Sequence, residues 1–281
     1  MKMVTSFDTF EVRPLRTGRE FRACEGIQQE VWGHLACSAE LLSTAQKHGG
    51  VVLGAFHGRE LAGFLFAFLA RRRGKLIHWS HMMAVRENLR DHGLGLRMKL
   101  LHRRLAIEQG LRSICWTFDP LESRNAFLNI ERLGAVVEEY IPDCYGDFPS
   151  VIEKGLPSDR LVANWRITSR AVARALQRVR PTPRLNPRLP RINETISNSD
   201  GFPKNARIRL NRSERRLAVE IPADTDGMRS AALSLARRWR TETRPIFQTY
   251  FAAGYRVTGF ARDAGGSGRC FYVMTRSKQG D

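Results

Sequence analysis

Hydrophobic and polar positions alternate or recur along the chain in a way that predicts most of its elements. Phe10 to Leu15 alternates and predicts a strand. From Gly18 to Trp32, apolar Phe21, Cys24, Ile27 and Val31 recur every three or four residues, which predicts a helix. Ser38 can cap a second helix that runs to Lys47 and stops at Gly49-Gly50. Val51 to Phe56 and Leu61 to Ala70 are apolar runs on either side of His57-Gly-Arg-Glu60, a hairpin signal. Leu76 to Val85 is a third strand, after the turn Arg71-Arg-Arg-Gly74. A loop with Arg90, Gly93 and Gly95 then opens a helix from Leu94 to Gln109, ended by Gly110. On that helix Leu94, Met98, Leu101 and Leu105 form an apolar stripe, with Arg97, His102, Arg103 and Glu108 mostly off it. Ser113 to Phe118 is a short strand, Ser123 to Leu133 a helix ended by Gly134, and Ala135 to Ile141 and Arg160 to Ile167 two more strands.

Beyond Ala175 the pattern lapses. LQRVRPTPRLNPRLPRINET is rich in Pro and Arg, and Pro can neither donate a backbone hydrogen bond nor continue a helix. It reads as an extended linker or a strap. Pattern returns with a strand at Leu217 to Ile221, helices at Asp224 to Arg240 and Thr241 to Ala253, and a hairpin of Tyr255 to Ala261 with Cys270 to Thr275 across Gly265-Gly266. Three parts follow: residues 1–172, a linker at 173–203, and a small α+β region at 204–281. The third part echoes the first. Arg124-x-x-Phe127, Gly134 and Tyr140 recur as Arg244-x-x-Phe247, Gly254 and Phe260 at matching intervals. Either this is a partial repeat, or any helix, glycine and strand in series would look so.

The loop at Arg90 to Leu96 is the first candidate for chemistry. A strand feeding a glycine loop at a helix N-terminus builds an anion site, because the first-turn N–H groups lack intrahelical partners and the dipole favours negative charge. Backbone N–H groups of Leu94, Gly95 and Leu96 can hold a phosphate, with Arg90 or Arg97 beside it. The strand, helix and strand through it form a parallel crossover unit, so the class is α/β with a mixed sheet.

Arg90-x-x-Gly93-x-Gly95 after a strand ending in Val85, and opening an amphipathic helix, resembles the acyl-CoA pyrophosphate loop of the GNAT superfamily of CoA-dependent N-acyltransferases. The element order is similar to that fold: a mixed, mainly antiparallel sheet flanked by helices. Ser80-His-Met82, Trp116-Thr-Phe-Asp-Pro-Leu121, Asn125-Ala126, Asn129, Leu133-Gly134, Tyr145-Gly146 and Asp159-Arg-Leu161 resemble a branch of that superfamily, over residues 8 to 170. The resemblance implies acetyl-CoA or another acyl-CoA as co-substrate, with Met83, Val85 and the loop along it; Asn125 and Asn129, four apart on one helical face, can either hydrogen-bond its pantetheine arm or serve capping and solvation. It implies a splayed strand carrying the general base, for which His81 is the candidate. The family's usual acid is a Tyr four residues before the Gly that ends the second helix. Ile130 stands there, so Tyr145 and Tyr140 are the substitutes, unless no acid is needed, since a thiolate leaves without much help. Asp119 and Glu122, after a strand end, can bind an ammonium group or cap the next helix. Cys115 and Cys144 read as packing residues.

Composition changes this picture little. Net charge is +18, almost all of it arginine, which GC-rich codon usage also produces. Five cysteines without a CxxC pair suggest neither zinc nor a disulfide framework, and a reducing, cytoplasmic compartment fits them. MKMVTSFDTFEVRPL lacks the apolar core of a signal peptide, and the longest apolar run is strand-sized, so no membrane role is expected. The Pro/Arg stretch lacks the aromatics that stack on bases, so nucleic acid is the weaker partner. A small amine, such as an amino acid, is the expected acceptor of an acetyl or a carboxylated acyl group such as succinyl. A metal is not expected, and a homodimer stays open. Three readings remain: acyl transfer, CoA binding without turnover, and association with nucleic acid.

Overall fold

A computed structural model of the chain describes residues 10–34, 36–146, 156–177, 183–263 and 268–276. The predicted turn at Gly265-Gly266, the first nine residues and part of the Pro/Arg stretch lie outside the described residues. The described chain forms two compact units, the first running through Trp116 and including Arg166–Thr168, the second holding the rest.

In the first unit, strand β1 (Phe10–Pro14) precedes helices α1 (Gly18–Trp32) and α2 (Ala39–Lys47). Helix α1 starts on a capping box: Thr17 accepts from the Glu20 N–H, and the Glu20 carboxylate accepts from the Thr17 N–H. Ser38 caps α2. Strands β2 (Val51–His57), β3 (Glu60–Arg72) and β4 (Lys75–Val85) follow as an antiparallel meander, with β1 antiparallel to β2. Helix α3 (Leu94–Glu108) then crosses to β5 (Ile114–Phe118), which is parallel to β4. The order strand, two helices, three antiparallel strands, helix, parallel strand is the one the resemblance implies. The two faces of the meander bury different sets. Phe64, Phe66, Met82 and Ala84 pack with α1 and α2 residues, whereas Leu65, Ala67, Leu94 and Met98 pack on the α3 side.

In the second unit, α4 (Ser123–Ala126) continues into a π-helical stretch (Phe127–Arg132), so the expected helix is present with a widened second half. Strands β6 (Val136–Ile141) and β7 (Arg160–Trp165) pair antiparallel, and α5 (Arg170–Leu176) follows. Strands β8 (Asn193–Ser197) and β9 (Pro203–Ile208) form a separate hairpin. Strand β10 (Arg216–Ile221), helices α6 (Thr225–Ala231) and α7 (Leu233–Ala252), and strands β11 (Tyr255–Arg262) and β12 (Cys270–Arg276) close the chain. Here the strand order is β7-β6-β11-β12-β10, all antiparallel. The expected helix break near Thr241 lies instead at Ala232, where φ is −145°. Pro245 sits inside α7.

The Pro/Arg stretch is a strap over described residues 183–192. Leu185 N–H donates to Arg262 O and Arg262 N–H to Pro183 O. Ile192 N–H donates to Ala218 O and Ala218 N–H to Pro190 O. Its backbone thus bonds to β11 at one end and β10 at the other, each at an isolated bridge, and Leu185 and Ile192 are buried. No helix among the described residues is long and apolar enough to cross a membrane.

Candidate functional site

The predicted loop forms as a run of unusual backbone angles. After β4, a short 3-10 turn (Glu87–Leu89) leads to Arg90, then Asp91 at φ 67° and Gly93 at φ 71°. Gly93 is the residue before α3 and, having no side chain, makes no cap; no acidic side chain stands in the first turn. The N–H groups of Leu94, Gly95 and Leu96 therefore meet no capping side chain. A Cβ placed on Gly93 would meet open space. Left-handed backbone with space in front of it suits close approach by an anion. Arg90 is exposed, with its Nε 3.4 Å from Val85 O. Arg97 is committed elsewhere: its Nη2 donates to Phe10 O at 2.7 Å and ties α3 to β1.

Beside the loop lies a recess of about 680 Å³, lined by Glu30, Val31, Arg86, Glu87, Asn88 and Arg90. Arg86 is held there by Glu30 at 3.3 Å and by Glu60 at 3.2 Å. The lining thus mixes carboxylates with guanidinium groups.

Strand β4 carries a bulge at His81. Phe66 pairs with Met82 and Ala67 with Ser80, so His81 is the extra residue. Its ring packs against Phe66 and Phe68, at 6.1 and 5.8 Å between centroids, and keeps an exposed surface. Among the described residues no hydrogen bond or charged partner reaches it. The surrounding chain still crowds the imidazole enough to lower its pKa by burial. Met83 and Val85 lie on the α3 side of β4, half-buried against the apolar cluster there.

On that same side is a buried polar group that the apolar stripe did not reveal. The face α3 buries is Leu94, Met98, Lys99, His102 and Ala106, while Leu101 and Leu105 are only partly buried. His102, expected off the stripe, lies at its centre. The true repeat is every four residues, 94, 98, 102 and 106, and that is the signal that could have found it. His78 Nε2 lies 2.9 Å from Gly49 O, so it must carry the proton. His78 Nδ1 then accepts from His102 Nε2 at 3.1 Å, which leaves His102 Nδ1 as an unpartnered acceptor. Burial lowers the pKa of both rings, His102 far below the usual value. One turn earlier, the Lys99 ammonium reaches Ser80 Oγ at 3.0 Å and sits 3.7 Å above the Trp116 ring. Burial brings Lys99 down to about 7. Strand β4 pairs with β5 only at His78↔Ile114 and Trp79↔Cys115, so Lys99 joins the first residue of each strand past the last pair.

Five predicted residues belong to the second unit. Asp119 is buried and takes Arg240 in a two-pronged contact, Nη1 to Oδ1 at 2.8 Å and Nη2 to Oδ2 at 2.5 Å. Burial alone would raise its pKa, but Arg240 brings it below the ordinary value. Glu122 takes Arg229 at 2.5 Å, while burial and the Asp119 and Asp226 carboxylates push it up to about 7. Both carboxylates, expected to meet a substrate ammonium, already hold arginines. Tyr145 is exposed, its hydroxyl 3.2 Å from Thr117 Oγ1 and its ring 5.1 Å from the Arg160 guanidinium. Asn125 is exposed and Asn129 buried, as is Ile130. Tyr140 is buried and donates to Asp159. The first unit thus holds the glycine loop with Met83 and Val85 on the α3 side of β4, whereas His81 packs against Phe66 and Phe68 of the α1/α2 side.

No family model matches this chain, and no curated protein matches it. Solved structures similar to it include a GNAT-family acetyltransferase from Streptococcus pneumoniae, at 16% identity and TM-score 0.45, covering 55% of this chain and 97% of that one. The ribosomal-protein-S18-alanine N-acetyltransferase from Escherichia coli is similar at 14% identity and TM-score 0.45, over 57% and 95%. A GNAT-family acetyltransferase from Elizabethkingia anophelis, solved with acetyl-CoA bound, is similar at 13% identity and TM-score 0.43, over 57% and 99%. Likeness at this level shows neither membership nor chemistry.

Proposed function

We propose that the chain is an acyl-CoA-dependent N-acyltransferase whose cofactor cradle is the Arg90 to Leu96 loop. The observation that carries this reading is the uncapped N-terminus of α3, opened by left-handed Gly93 and joined to the bulged strand β4 by the short turn at Glu87–Leu89. The pyrophosphate would take the N–H groups of Leu94, Gly95 and Leu96, with Arg90 supplying charge. Met83 and Val85 remain proposed contacts for the rest of the cofactor.

The chemistry asked of the chain is small. An ammonium acceptor must lose a proton before it attacks the thioester carbonyl, and His81, neutral near pH 7, can take it. Attack forms the C–N bond, the tetrahedral intermediate expels the CoA thiolate, and the product is an amide. A thiolate leaves with little help, so solvent can return its proton. The mixed-charge recess beside the loop favours a small acceptor carrying both an amine and a carboxylate, with Glu87 for the amine. Acetyl is the default acyl group, and succinyl the variant that an arginine-rich chain admits.

Incubation with acetyl-CoA or succinyl-CoA and a panel of amines, with free thiol read out, tests the reading. Turnover with an amino acid supports it. CoA-dependent stabilisation without turnover on a broad panel would favour a binding protein, a reading that Ile130 in the place of the family's acid already motivates.

A further inference from the structure

Two blocks of the second unit repeat each other, and their contacts are reciprocal. Pro120-Leu-Glu-Ser123 follows β5, and Pro222-Ala-Asp-Thr225 follows β10. Glu122 is the residue before α4, as Asp224 is before α6. Each helical run ends at a left-handed glycine, Gly134 at φ 72° and Gly254 at φ 81°. Each glycine is followed by a strand with a bulge at the fourth residue on: Glu138 in β6, between Val137 and Glu139, and Thr258 in β11, between Val257 and Gly259. Each bulged strand then pairs antiparallel with the next, β7 or β12.

A series of similar elements can arise by chance. Reciprocal contacts are harder to obtain so. Ser123 Oγ donates to Ala223 O at 2.7 Å, and Thr225 Oγ1, its counterpart, donates to Leu121 O at 2.6 Å, where Leu121 is the counterpart of Ala223. Phe127 packs on Phe260 at 6.5 Å between centroids, and Phe247 packs on Tyr140 at 5.7 Å, each residue of one pair matching one of the other. At the centre, Val137 pairs with its own counterpart, Val257. Contacts in which i meets j while j meets i are the mark of a two-fold axis, and a position that meets its own equivalent lies on that axis.

We infer that residues 216–276 are a second copy of the strand, helix and hairpin block at 114–165, turned about a local two-fold axis at Val137–Val257, and that this copy covers the β6 edge which a second molecule of the chain would otherwise use. An exposed strand edge is a template for pairing with another chain. Here the occupant is covalently attached. The strap completes the copy: Pro190–Ile192 runs parallel to β10 at Ala218, as β4 runs parallel to β5.

The test is a cysteine pair in the full-length chain. Cross-strand partners have Cβ atoms close enough for a disulfide after small adjustments. V137C/V257C, oxidised and mapped by mass spectrometry, is expected to join the two peptides within one chain. V137C alone is expected to give no chain-to-chain disulfide, and the wild-type chain to sediment at single-chain mass over a wide concentration range. A dimer of V137C chains linked to each other through position 137, or a double variant with wild-type circular dichroism and no 137–257 link, overturns the inference. Should the double variant not fold, V257C alone decides: it too is expected to give no chain-to-chain disulfide, and a dimer of chains linked through position 257 overturns the inference.

Discussion

His81 and Gly93 are the residues on which the functional reading turns. His81 is the bulged residue of β4, with Phe66 and Phe68 against its ring and no hydrogen-bond or charged partner among the described residues. Burial holds its pKa below 6.5. Acyl transfer through it should therefore rise with pH below about 6.5 and flatten above. His81→Ala should cut kcat by about a hundredfold, the usual worth of a positioned base, with CoA affinity by calorimetry unchanged. An unaltered pH–rate profile in that variant would remove His81 from the mechanism. Gly93 sits at φ 71° before open space. Gly93→Trp adds left-handed strain of roughly 1–3 kcal/mol and a bulky group where a phosphate would lie. CoA binding should be lost while the thermal transition falls only modestly. Retained binding would move the cradle away from this loop. Gly93 was legible in the sequence, because a glycine loop between strand and helix is a local signal; His81 stands out only through the family resemblance, and its bulge comes from the pairing with β3. The role of Asp119 and Glu122 was not legible, because their arginines come from positions 240 and 229, more than a hundred residues away.

At the scale of the element, α3 carries more than an anion site. Its buried face includes Lys99, and burying an ammonium is costly unless well paired. Lys99 has Ser80 Oγ and the Trp116 ring, neither of them an anion. Its pKa falls from 10.5 to about 7, so between those values the unfolded chain binds more protons than the folded one. Stability should rise with pH across that window, and the deficit should be full below pH 7, where both states hold the proton. Lys99→Met keeps the length of the side chain and removes the charge. It leaves Ser80 Oγ without this donor, at a cost of about 1–3 kcal/mol, which the relieved charge should exceed. Denaturant melts are expected to show a variant more stable than wild type at pH 7, with a flatter dependence from pH 7 to 10. A variant that is less stable with the wild-type slope would show that Lys99 carries no burial cost. Sequence periodicity located α3 to within a residue. It rotated the stripe because leucines at 101 and 105 outweighed a lysine and a histidine in any hydrophobic count. Only the packing against β4 and β5 shows those two polar residues turned inward.

For the whole molecule, the question is how many cofactor sites one chain provides. The repeat was visible in the sequence as an echo of Arg, Phe, Gly and aromatic positions. It could not be told from coincidence there, because reciprocity belongs to contacts and not to spacing. With the contacts known, the copies are unequal in a way that bears on stoichiometry. The block at 114–165 follows β4, the Gly93 loop and α3. The block at 216–276 follows a strap with Pro190–Ile192 in the strand position and no helix between Ile192 and β10. An anion site of this kind needs a helix N-terminus behind a glycine turn. The second seam is also closed by side chains: Asn193, fully buried, donates to Glu220 O at 3.0 Å and accepts from the Glu220 N–H at 2.8 Å. Glu220 in turn holds Arg269. One acyl-CoA per chain should therefore bind, and titration calorimetry with CoA should give a stoichiometry of one. A value of two would mean that the second copy had kept a cradle by another route. Loss of that single site in Gly93→Trp, without a residual weaker isotherm, would tie it to α3.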